Sequence, residues 1–273
     1  MKNLLIYVNP NGLNSEAETL LKIQIDNLLD LGWKAEDIII WTNFKFEYNG
    51  IRSRLVWDDY FYAQIPISTK QYAIAQSFKD NLIEDHLYWV HDLDHFQLEP
   101  ITEEEILKEM DGKDMTLCDW GSTVKYSGGS VFFKKSAGDI FTRLRLVMEK
   151  YNIYDERALL FLTTNNKNWI YKSYYGTIGS VSIPGKIRDA RSIRHRIKLL
   201  NITYNFIPFN ISYCYRKAIK PIRCIHFNPF PESASTYIKG GCAKDIFMSG
   251  HNSKGIILIT DRLRKIFNKH GIE

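Results

Sequence analysis

The sequence predicts an α/β fold in which a mostly parallel, mixed sheet is flanked by helices. The apolar run Leu4–Val8 does not alternate with polar residues, so we expect a first strand that is covered on both faces. An amphipathic helix follows, with Ser15 and Glu18 spaced as a capping box and Gly32 as its terminator. A second apolar run at 37–41 completes a β-α-β unit, whose strands are parallel and joined by a right-handed crossover.

Later segments continue this pattern. Residues 43–62 show no clear period and are interpreted as a loop or hairpin. Hydrophobic periodicity and helix-capping residues predict further helices at 68–82, 102–107, 136–151, 154–162 and 261–269. Short strands are predicted at 87–91, 115–119 and 131–133, and around 169–175, 203–208, 222–227 and 255–259.

Composition excludes several classes of protein. The 273 residues are 45% hydrophobic and 25% charged, as in one large globular domain, and the net charge of +5 permits a polyanionic partner without requiring one. The four cysteines lie far apart, which is typical of reduced thiols in the cytoplasm, where we expect the protein. We expect no membrane span, because no segment approaches the roughly 20 apolar residues that it needs. No obligate protein partner is evident.

Two acidic residues stand close together where a strand ends. The apolar run Leu87–Val90 leads into the sequence HDLDH, which contains Asp92 and Asp94. In an extended chain these two side chains point the same way, with their Cα atoms roughly 7 Å apart. Ionised carboxylates at that separation repel each other, and a divalent cation removes the conflict. We therefore predict a site for Mn²⁺ or Mg²⁺; the alternative is an ordinary solvated junction.

An acidic pair in this place resembles the D-x-D motif of GT-A glycosyltransferases, and Asp92-Leu93-Asp94 matches it. The resemblance implies a GT-A-type, Rossmann-like sheet, on which the motif binds a metal that holds the diphosphate of a nucleotide sugar, a UDP-sugar being the expected donor. It also implies a single domain over residues 1–273, with a nucleotide-sugar half at 1–120 and an irregular acceptor-side half at 121–273.

Two segments in the second half resemble the family-eight group of this class, which includes glycogenin and bacterial galactosyltransferases. Gly128 and Gly129 lie in YSGGSVFF, similar to the small-residue segment that lines the sugar pocket in that group. Paired glycines allow close approach of backbone to a ligand, although they also suit a hairpin turn. Asp155 and Glu156 match the D-Q-x-x-L or D-E-x-x-L segment beneath the reacting sugar. That match implies catalytic carboxylates, although acids are common in a helix first turn.

A third segment supplies a further metal ligand by the same resemblance. His226 lies in IRCIHFNP, which resembles a late I-I-H-F element whose histidine binds the metal beside the two aspartates. A buried structural histidine is the alternative. The chain departs from the pattern after Phe227, where N-P-F-P stands in place of the segment that carries a phosphate-binding lysine. Lys239 or Lys244 is the expected substitute.

The position of the nucleotide follows from a general rule for open α/β sheets. Ligands bind at the carboxyl ends of the strands, so we expect the nucleotide beside Tyr7, Asn9 and Thr42. The sequence contains neither G-x-G-x-x-G nor G-x-x-x-x-G-K-[ST], which argues against dinucleotide oxidoreductases and P-loop hydrolases.

The acceptor is less defined, and a basic region bears on it. Residues 186–223 contain ten lysines and arginines and only one acid, with aromatic residues interleaved; Arg188, Arg191, Arg194 and Lys198 fall at helical spacing. Such a region suits an anionic glycan, the donor diphosphate, a nucleic acid with a hydroxymethylated base, or a solvated basic helix that balances the acidic region 92–119. A nucleotidyltransferase and a non-catalytic nucleic-acid-binding protein are the alternative functions.

Overall fold

A seven-stranded mixed sheet forms the centre of the molecule. The computed structural model describes residues 1–118, 126–163, 168–173, 176–182, 189–207, 217–227 and 258–272. The strands in these ranges are β1 (Lys2–Tyr7), β2 (Ile38–Thr42), β3 (Glu47–Tyr48), β4 (Ile51–Arg52), β5 (Arg54–Leu55), β6 (Leu87–His91), β7 (His95–Gln97), β8 (Met115–Cys118), β9 (Ser127–Lys134), β10 (Asn168–Ser173), β11 (Gly176–Ser182), β12 (Ile197–Leu200) and β13 (Cys224–His226). The helices are α1 (Ser15–Asp30), α2 (Thr69–Lys79), α3 (Glu103–Met110), α4 (Gly138–Tyr151), α5 (Asp155–Thr163) and α6 (Asp261–Lys269).

The strand order of the central sheet is β12-β8-β9-β6-β1-β2-β5. β1 pairs in parallel with β2 and β6, and β8 pairs in parallel with β12. β9 is antiparallel to both of its neighbours, β6 and β8. The prediction of a mostly parallel, mixed sheet flanked by helices is therefore confirmed. Strands from both halves of the chain share this sheet.

The side chains of β1 show why the first apolar run lacks alternation. Leu4 packs in one core cluster with residues of α2, α4 and α5, whereas Leu5 packs on the opposite face with residues of α1 and α3. Both leucines are completely buried. Burying such a side chain contributes roughly 1.5–3 kcal/mol, so a strand with two covered faces stabilises the sheet from both sides.

A second, smaller sheet lies beside the first and contains residues from distant parts of the chain. β13 pairs antiparallel with β7, which places His226 opposite His95 and Ile225 opposite Phe96. An apolar cluster around Phe96, Phe227 and Phe267 packs this sheet against α6. The pairing brings the segment after β6 and the segment around residue 226 together.

Several predictions of local structure need correction. The first helix is capped by Asn14 rather than Ser15, because Asn14 is extended and its side chain accepts a hydrogen bond from Ala17 N at 2.7 Å. The predicted strand around 203–208 is wrong within the described residues: Ile202–Tyr204 forms a 3-10 turn, and only an isolated bridge joins Phe206 to Ile225. Asp189–Arg196 is a 3-10 helix that runs into β12, so the described residues of the helical spacing, Arg191, Arg194 and Lys198, do not share one α-helix.

Other expectations fall partly outside the described residues. Of the strand expected around 255–259, residues 255–257 lie outside the described residues. Leu258 and Ile259 form a bend. Gly128 and Gly129 do not form a hairpin turn, because both lie within β9. Among the described residues, no helix is both long and apolar enough to cross a membrane.

One buried carboxylate fastens α6 to α1. Asp26 accepts hydrogen bonds from Lys269 Nζ at 2.8 Å, His270 Nε2 at 2.7 Å, Tyr48 OH at 3.1 Å and Asn49 Nδ2 at 2.7 Å. Burial pushes the pKa of Asp26 upward, but the hydrogen bonds from Lys269, His270 and Tyr48 outweigh it and hold the pKa below the ordinary value. The ionised form of Asp26 is therefore the one that the fold stabilises.

We expect Asp26→Asn to lower the free energy of unfolding by about 1–3 kcal/mol near neutral pH, because it removes the charge that four donors share. Urea denaturation measures this. Since the folded pKa is depressed, the contribution is present above the ordinary value of 3.8 and is lost as the pH falls through the folded pKa, so variant and wild type converge in acid.

Asp30→Asn on the same helix is the matched control. Within the described part of the chain, Asp30 pairs with Arg262 alone, at 3.2 Å, and its side chain is half exposed. Its loss should change the unfolding free energy by less than about 1 kcal/mol. Equal destabilisation by the two variants would contradict the special role of Asp26.

Candidate active site

The D-x-D segment is a turn whose backbone is held on both sides. Asp92 N donates to Gly129 O at 3.0 Å, and Phe227 N donates to Asp94 O at 3.0 Å. Between them, His95 N donates to Asp92 O at 3.1 Å and closes the turn. The two aspartates therefore converge through a turn and not, as predicted, through the alternation of an extended strand.

The turn brings three potential metal ligands together. One ligand atom from each of Asp92, Asp94 and His226 lies within 4.8 Å of the other two. His226 Nε2 is 3.3 Å from Asp94 Oδ1 and 3.5 Å from Asp92 Oδ2. These are the three ligands predicted from the sequence. His226 is more than a hundred residues from the two aspartates in the chain, and the pairing of β13 with β7 brings it beside them.

The charges of these groups are strongly coupled. Burial disfavours the imidazolium form of His226, but the carboxylates of Asp94 and Asp92 outweigh it and raise the pKa of the imidazole. Burial likewise opposes the charge on Asp92, yet Lys70 and His226 lower the pKa of that carboxyl. A pair of carboxylates and an imidazole nitrogen are ligands that suit Mn²⁺ or Mg²⁺, so the residues fit the predicted cation.

Lys70 is a site residue that our reading of the sequence missed. It lies in α2, its side chain is only 9% exposed, and its Nζ forms an ion pair with Asp92 Oδ1. The same ammonium donates to Gly128 O at 2.6 Å. A lysine in the first turn of a helix gives no signal in a single sequence, because the aspartate that it meets lies on another element.

The two glycines of β9 permit the close packing of this site. A Cβ atom on Gly128 would lie 2.4 Å from Asp155 Oδ2, and one on Gly129 would lie 2.5 Å from His226 Cε1. Real Cβ atoms essentially never approach so closely, so both positions exclude a side chain as long as their neighbours stay in place. The pair therefore serves close approach between protein groups.

Asp155 and Glu156 begin α5 and point toward β9. Asp155 Oδ1 accepts from Ser68 Oγ at 2.7 Å, and its own backbone N donates back to Ser68 Oγ at 3.0 Å. Glu156 Oε1 accepts from Gly128 N at 2.8 Å. Gly128 thus touches Glu156 through its amide and Lys70 through its carbonyl, which joins the carboxylate pair to the predicted metal site.

Burial changes the protonation of this pair. Desolvation raises the pKa of Asp155 despite the hydrogen bond from Ser68. Desolvation, followed by the charge of Asp155, raises the pKa of Glu156 to about 8. Glu156 consequently holds a proton near neutral pH.

An open cleft of about 520 Å³ starts at the D-x-D turn. Asp92, Asp94, His226 and Lys70 line one part of it. The rest is lined by residues at the carboxyl end of β1 and in the loop after it, including Tyr7, Asn9 and Asn14, and by residues that precede α2, including Phe61 and Ile67. Polar groups of the first loop form a network there, since Asn9 Nδ2 and Asn14 Nδ2 both donate to Tyr7 OH, at 3.0 and 3.1 Å.

The remaining predicted nucleotide-binding residues are placed differently. Thr42 is completely buried behind this cleft, and its role in nucleotide binding stays a prediction. Asn43 connects it to the cleft, because Asn43 Oδ1 accepts from Asn9 N at 3.0 Å. Lys239 and Lys244 lie outside the described residues.

The basic region is only partly described. Lys186, Arg188 and Arg216 lie outside the described residues. Among the described ones, Arg196 pairs with Asp114, Lys198 with Asp111 and Arg223 with Glu105. These three cations therefore balance acids of the central fold.

His91 and His95 bind polar groups of the protein itself. Asn3 Nδ2 lies 3.2 Å from His91 Nε2, while His91 Nδ1 lies 3.0 Å from Asp92 O. His95 Nε2 donates to Tyr204 O at 3.0 Å. Burial lowers the pKa of His91 to about 4 and that of His95 well below its ordinary value, so both rings are neutral.

Comparisons with known proteins agree with this geometry. No family model matches the sequence, and no curated protein matches it either. Among solved structures, the galactosyltransferase LgtC in complex with donor and acceptor sugar analogs is similar, with a TM-score of 0.55 and 13% identity over 97% of this chain and 100% of that one. A glycosyltransferase involved in glycosylation of the major capsid of PBCV-1 gives 0.50 and 10% over 84% of this chain and 95% of that one.

A third similar structure is longer than this chain. The glycosyltransferase GlyE of Streptococcus pneumoniae TIGR4 has a TM-score of 0.54 and 11% identity, covering 100% of this chain. This chain spans only 65% of the length of GlyE. At these identities the likeness concerns the fold, and membership of family eight stays a prediction. The chain has the GT-A fold of glycosyltransferases.

Proposed function

We propose that this protein is a metal-dependent glycosyltransferase that transfers a sugar from a nucleoside-diphosphate sugar to a hydroxyl acceptor. One observation carries the proposal: Asp92, Asp94 and His226 converge at one end of a cleft that continues to Tyr7 and Asn9 at the end of β1. The GT-A fold supports this assignment, because structures with that fold include glycosyltransferases.

The three ligands would hold Mn²⁺ or Mg²⁺ at this end of the cleft. When bound, such an ion supplies positive charge that neutralises the departing diphosphate. The polar network of Tyr7, Asn9 and Asn14 is then placed to bind the nucleoside, and UDP is the nucleotide that we expect.

Lys70 supplies a second positive charge beside the ligands. Its ammonium is buried, so its field is weakly screened and acts strongly on a nearby phosphate. We assign Lys70 to the diphosphate, a role for which the sequence suggested Lys239, Lys244 or the basic residues of 186–223. The bond between the anomeric carbon and the phosphate oxygen breaks at this end of the cleft.

The carboxyl pair acts on the sugar side. A carboxylate at Asp155, oriented by Ser68, suits the stabilisation of positive charge at the anomeric carbon or a hydrogen bond to a sugar hydroxyl. Glu156 holds its proton near neutral pH and so presents a neutral donor, as a glutamine would. The two acids therefore have different proposed roles, because their surroundings differ.

The acceptor is a hydroxyl of a glycan or of a hydroxymethylated base in DNA. A nucleotidyltransferase with the same fold is the second candidate, since it also binds a metal through acidic residues. The products separate these reactions: a glycosyltransferase releases a nucleoside diphosphate, and a nucleotidyltransferase releases pyrophosphate. A screen of nucleotide sugars against both acceptor classes, with Mn²⁺ present, tests the proposal.

Asp94→Ala should abolish the response to metal. We expect Mn²⁺ with a matching nucleotide sugar at 100 times its dissociation constant to stabilise the wild type by about 2.7 kcal/mol, and the variant not at all. A thermal-shift titration measures this, and donor hydrolysis should fall in parallel. Asp59→Ala, which removes an exposed acid, is the control. Unchanged activity in Asp94→Ala would remove the metal from the proposal.

Lys70→Gln should lower kcat by about 10²–10³-fold, the cost of removing one preorganised group that stabilises transition-state charge. Affinity for UDP in the presence of Mn²⁺, measured by calorimetry, should also fall. Lys79→Gln at the exposed end of α2 changes the net charge equally and should leave both quantities intact. Equal effects of the two substitutions would refute a specific role for Lys70.

The pH dependence of kcat/KM should report Glu156. Because its pKa is raised to about 8, the neutral form persists at lower pH and activity declines as the pH rises through that value. Glu156→Gln keeps a neutral donor at all pH values, so this alkaline decline should disappear while activity remains. Initial rates across the pH range measure both profiles. An unchanged alkaline limb in the variant would assign it to another group.

A further inference from the structure

On the side of the His226 ring that faces away from Asp92 and Asp94, two buried polar atoms have no hydrogen-bond partner among the described residues. They are His226 Nδ1 and Asn205 Oδ1, and both belong to side chains with almost no exposure. Buried polar groups are nearly always paired, so two unpaired ones in a single place require an explanation.

The two atoms face the same point in space. The position that a Cβ atom on Gly129 would take lies 2.6 Å from His226 Nδ1 and 3.1 Å from Asn205 Oδ1. Gly129 keeps this space free of a side chain. The two unpaired atoms therefore flank one small space.

The backbone around Asn205 is fixed with respect to His226. Asn205 N donates to Ile202 O at 2.9 Å, and the adjacent Phe206 N donates to Cys224 O at 3.1 Å. His226 N in turn donates to Phe206 O at 2.8 Å. The segment before Phe206 therefore runs beside β13 and holds the two side chains as neighbours.

The amide of Asn205 also has a defined orientation. Its Nδ2 donates to Ser127 Oγ at 2.8 Å, and Ser127 Oγ accepts from Gly129 N at 3.2 Å. With its nitrogen committed to Ser127, the amide presents its oxygen, an acceptor, toward the imidazole. An acceptor at that place favours a ring that carries its proton on Nδ1.

We propose that Asn205 is a positioning residue, which accepts the Nδ1 proton of His226 and so leaves Nε2 as the nitrogen directed at Asp92 and Asp94. The inference rests on the proposed function, because it takes His226 as a metal ligand through Nε2. Histidine ligands are generally oriented by a partner on the other ring nitrogen, and loss of that partner costs about 10–100-fold in metal affinity.

The first test compares the affinity for Mn²⁺ alone, measured by electron paramagnetic resonance of the free ion, in three proteins. Asn205→Ala should weaken binding by about 10–100-fold relative to the wild type. Asn205→Asp keeps an acceptor for Nδ1–H and should restore affinity to the wild-type level or above. Asn27→Ala removes an equally buried asparagine whose side chain binds Gln97 O and Arg262, and it should leave affinity unchanged.

The second test needs no metal. In protein labelled with ¹⁵N at histidine and held at a pH high enough to keep the ring of His226 neutral, its Nδ1 resonance should show a bound proton in the wild type and in Asn205→Asp. In Asn205→Ala we expect a mixture of tautomers. This spectrum tests the role of Asn205 even if the wild type binds no Mn²⁺, an outcome that would instead contradict the metal in the proposed function.

The results that overturn the inference are distinct. Unchanged Mn²⁺ affinity in Asn205→Ala, with a wild type that binds Mn²⁺, would exclude a positioning role. Equal loss in Asn205→Ala and Asn205→Asp would mean that the residue serves packing alone. A wild-type His226 with its proton on Nε2 and an unprotonated Nδ1 would refute the proposed hydrogen bond directly.

Discussion

The site depends on the backbone clamp around the D-x-D turn. Asp92 N is bound to Gly129 O of β9, and Asp94 O is bound to Phe227 N just after β13. One bond ties the turn to the central sheet, and the other ties it to the small sheet. The backbone positions of the two aspartates therefore follow from strand pairing. Orientation that is fixed in advance in this way reduces the free energy that reorganisation costs during a reaction.

The clamp brings negatively charged side chains together in a largely buried site, and neighbouring cations offset the free-energy cost of this arrangement. Two carboxylates lie next to each other beside the imidazole of His226 and the ammonium of Lys70. An isolated buried charge costs several kcal/mol, whereas a paired network offsets much of that cost. Lys70 is thus required twice, because it neutralises Asp92 in the folded protein and presents positive charge to the cleft.

The sequence was informative where function and local pattern coincide. Short stretches of sequence suffice to identify the continuous apolar strands, the acids at 92 and 94, and the helix that starts at Asp155. Contacts between residues that are distant in the chain cannot be identified in this way. The ion pair of Lys70 with Asp92 and the approach of Asn205 to His226 follow from packing of the folded chain. His226 was predicted through a family resemblance, because spacing alone carries no signal across so long an interval.

The glycines explain how so many groups fit into one place. Gly128 joins the two halves of the site, with its carbonyl bound by Lys70 and its amide bound to Glu156. Gly129 binds Asp92 N through its carbonyl and leaves room for the ring of His226. Neither needs an unusual backbone conformation, since both are ordinary residues of β9. Their requirement is therefore spatial: a methyl group at either position would separate the ligands, the ammonium or the carboxyl pair from the others.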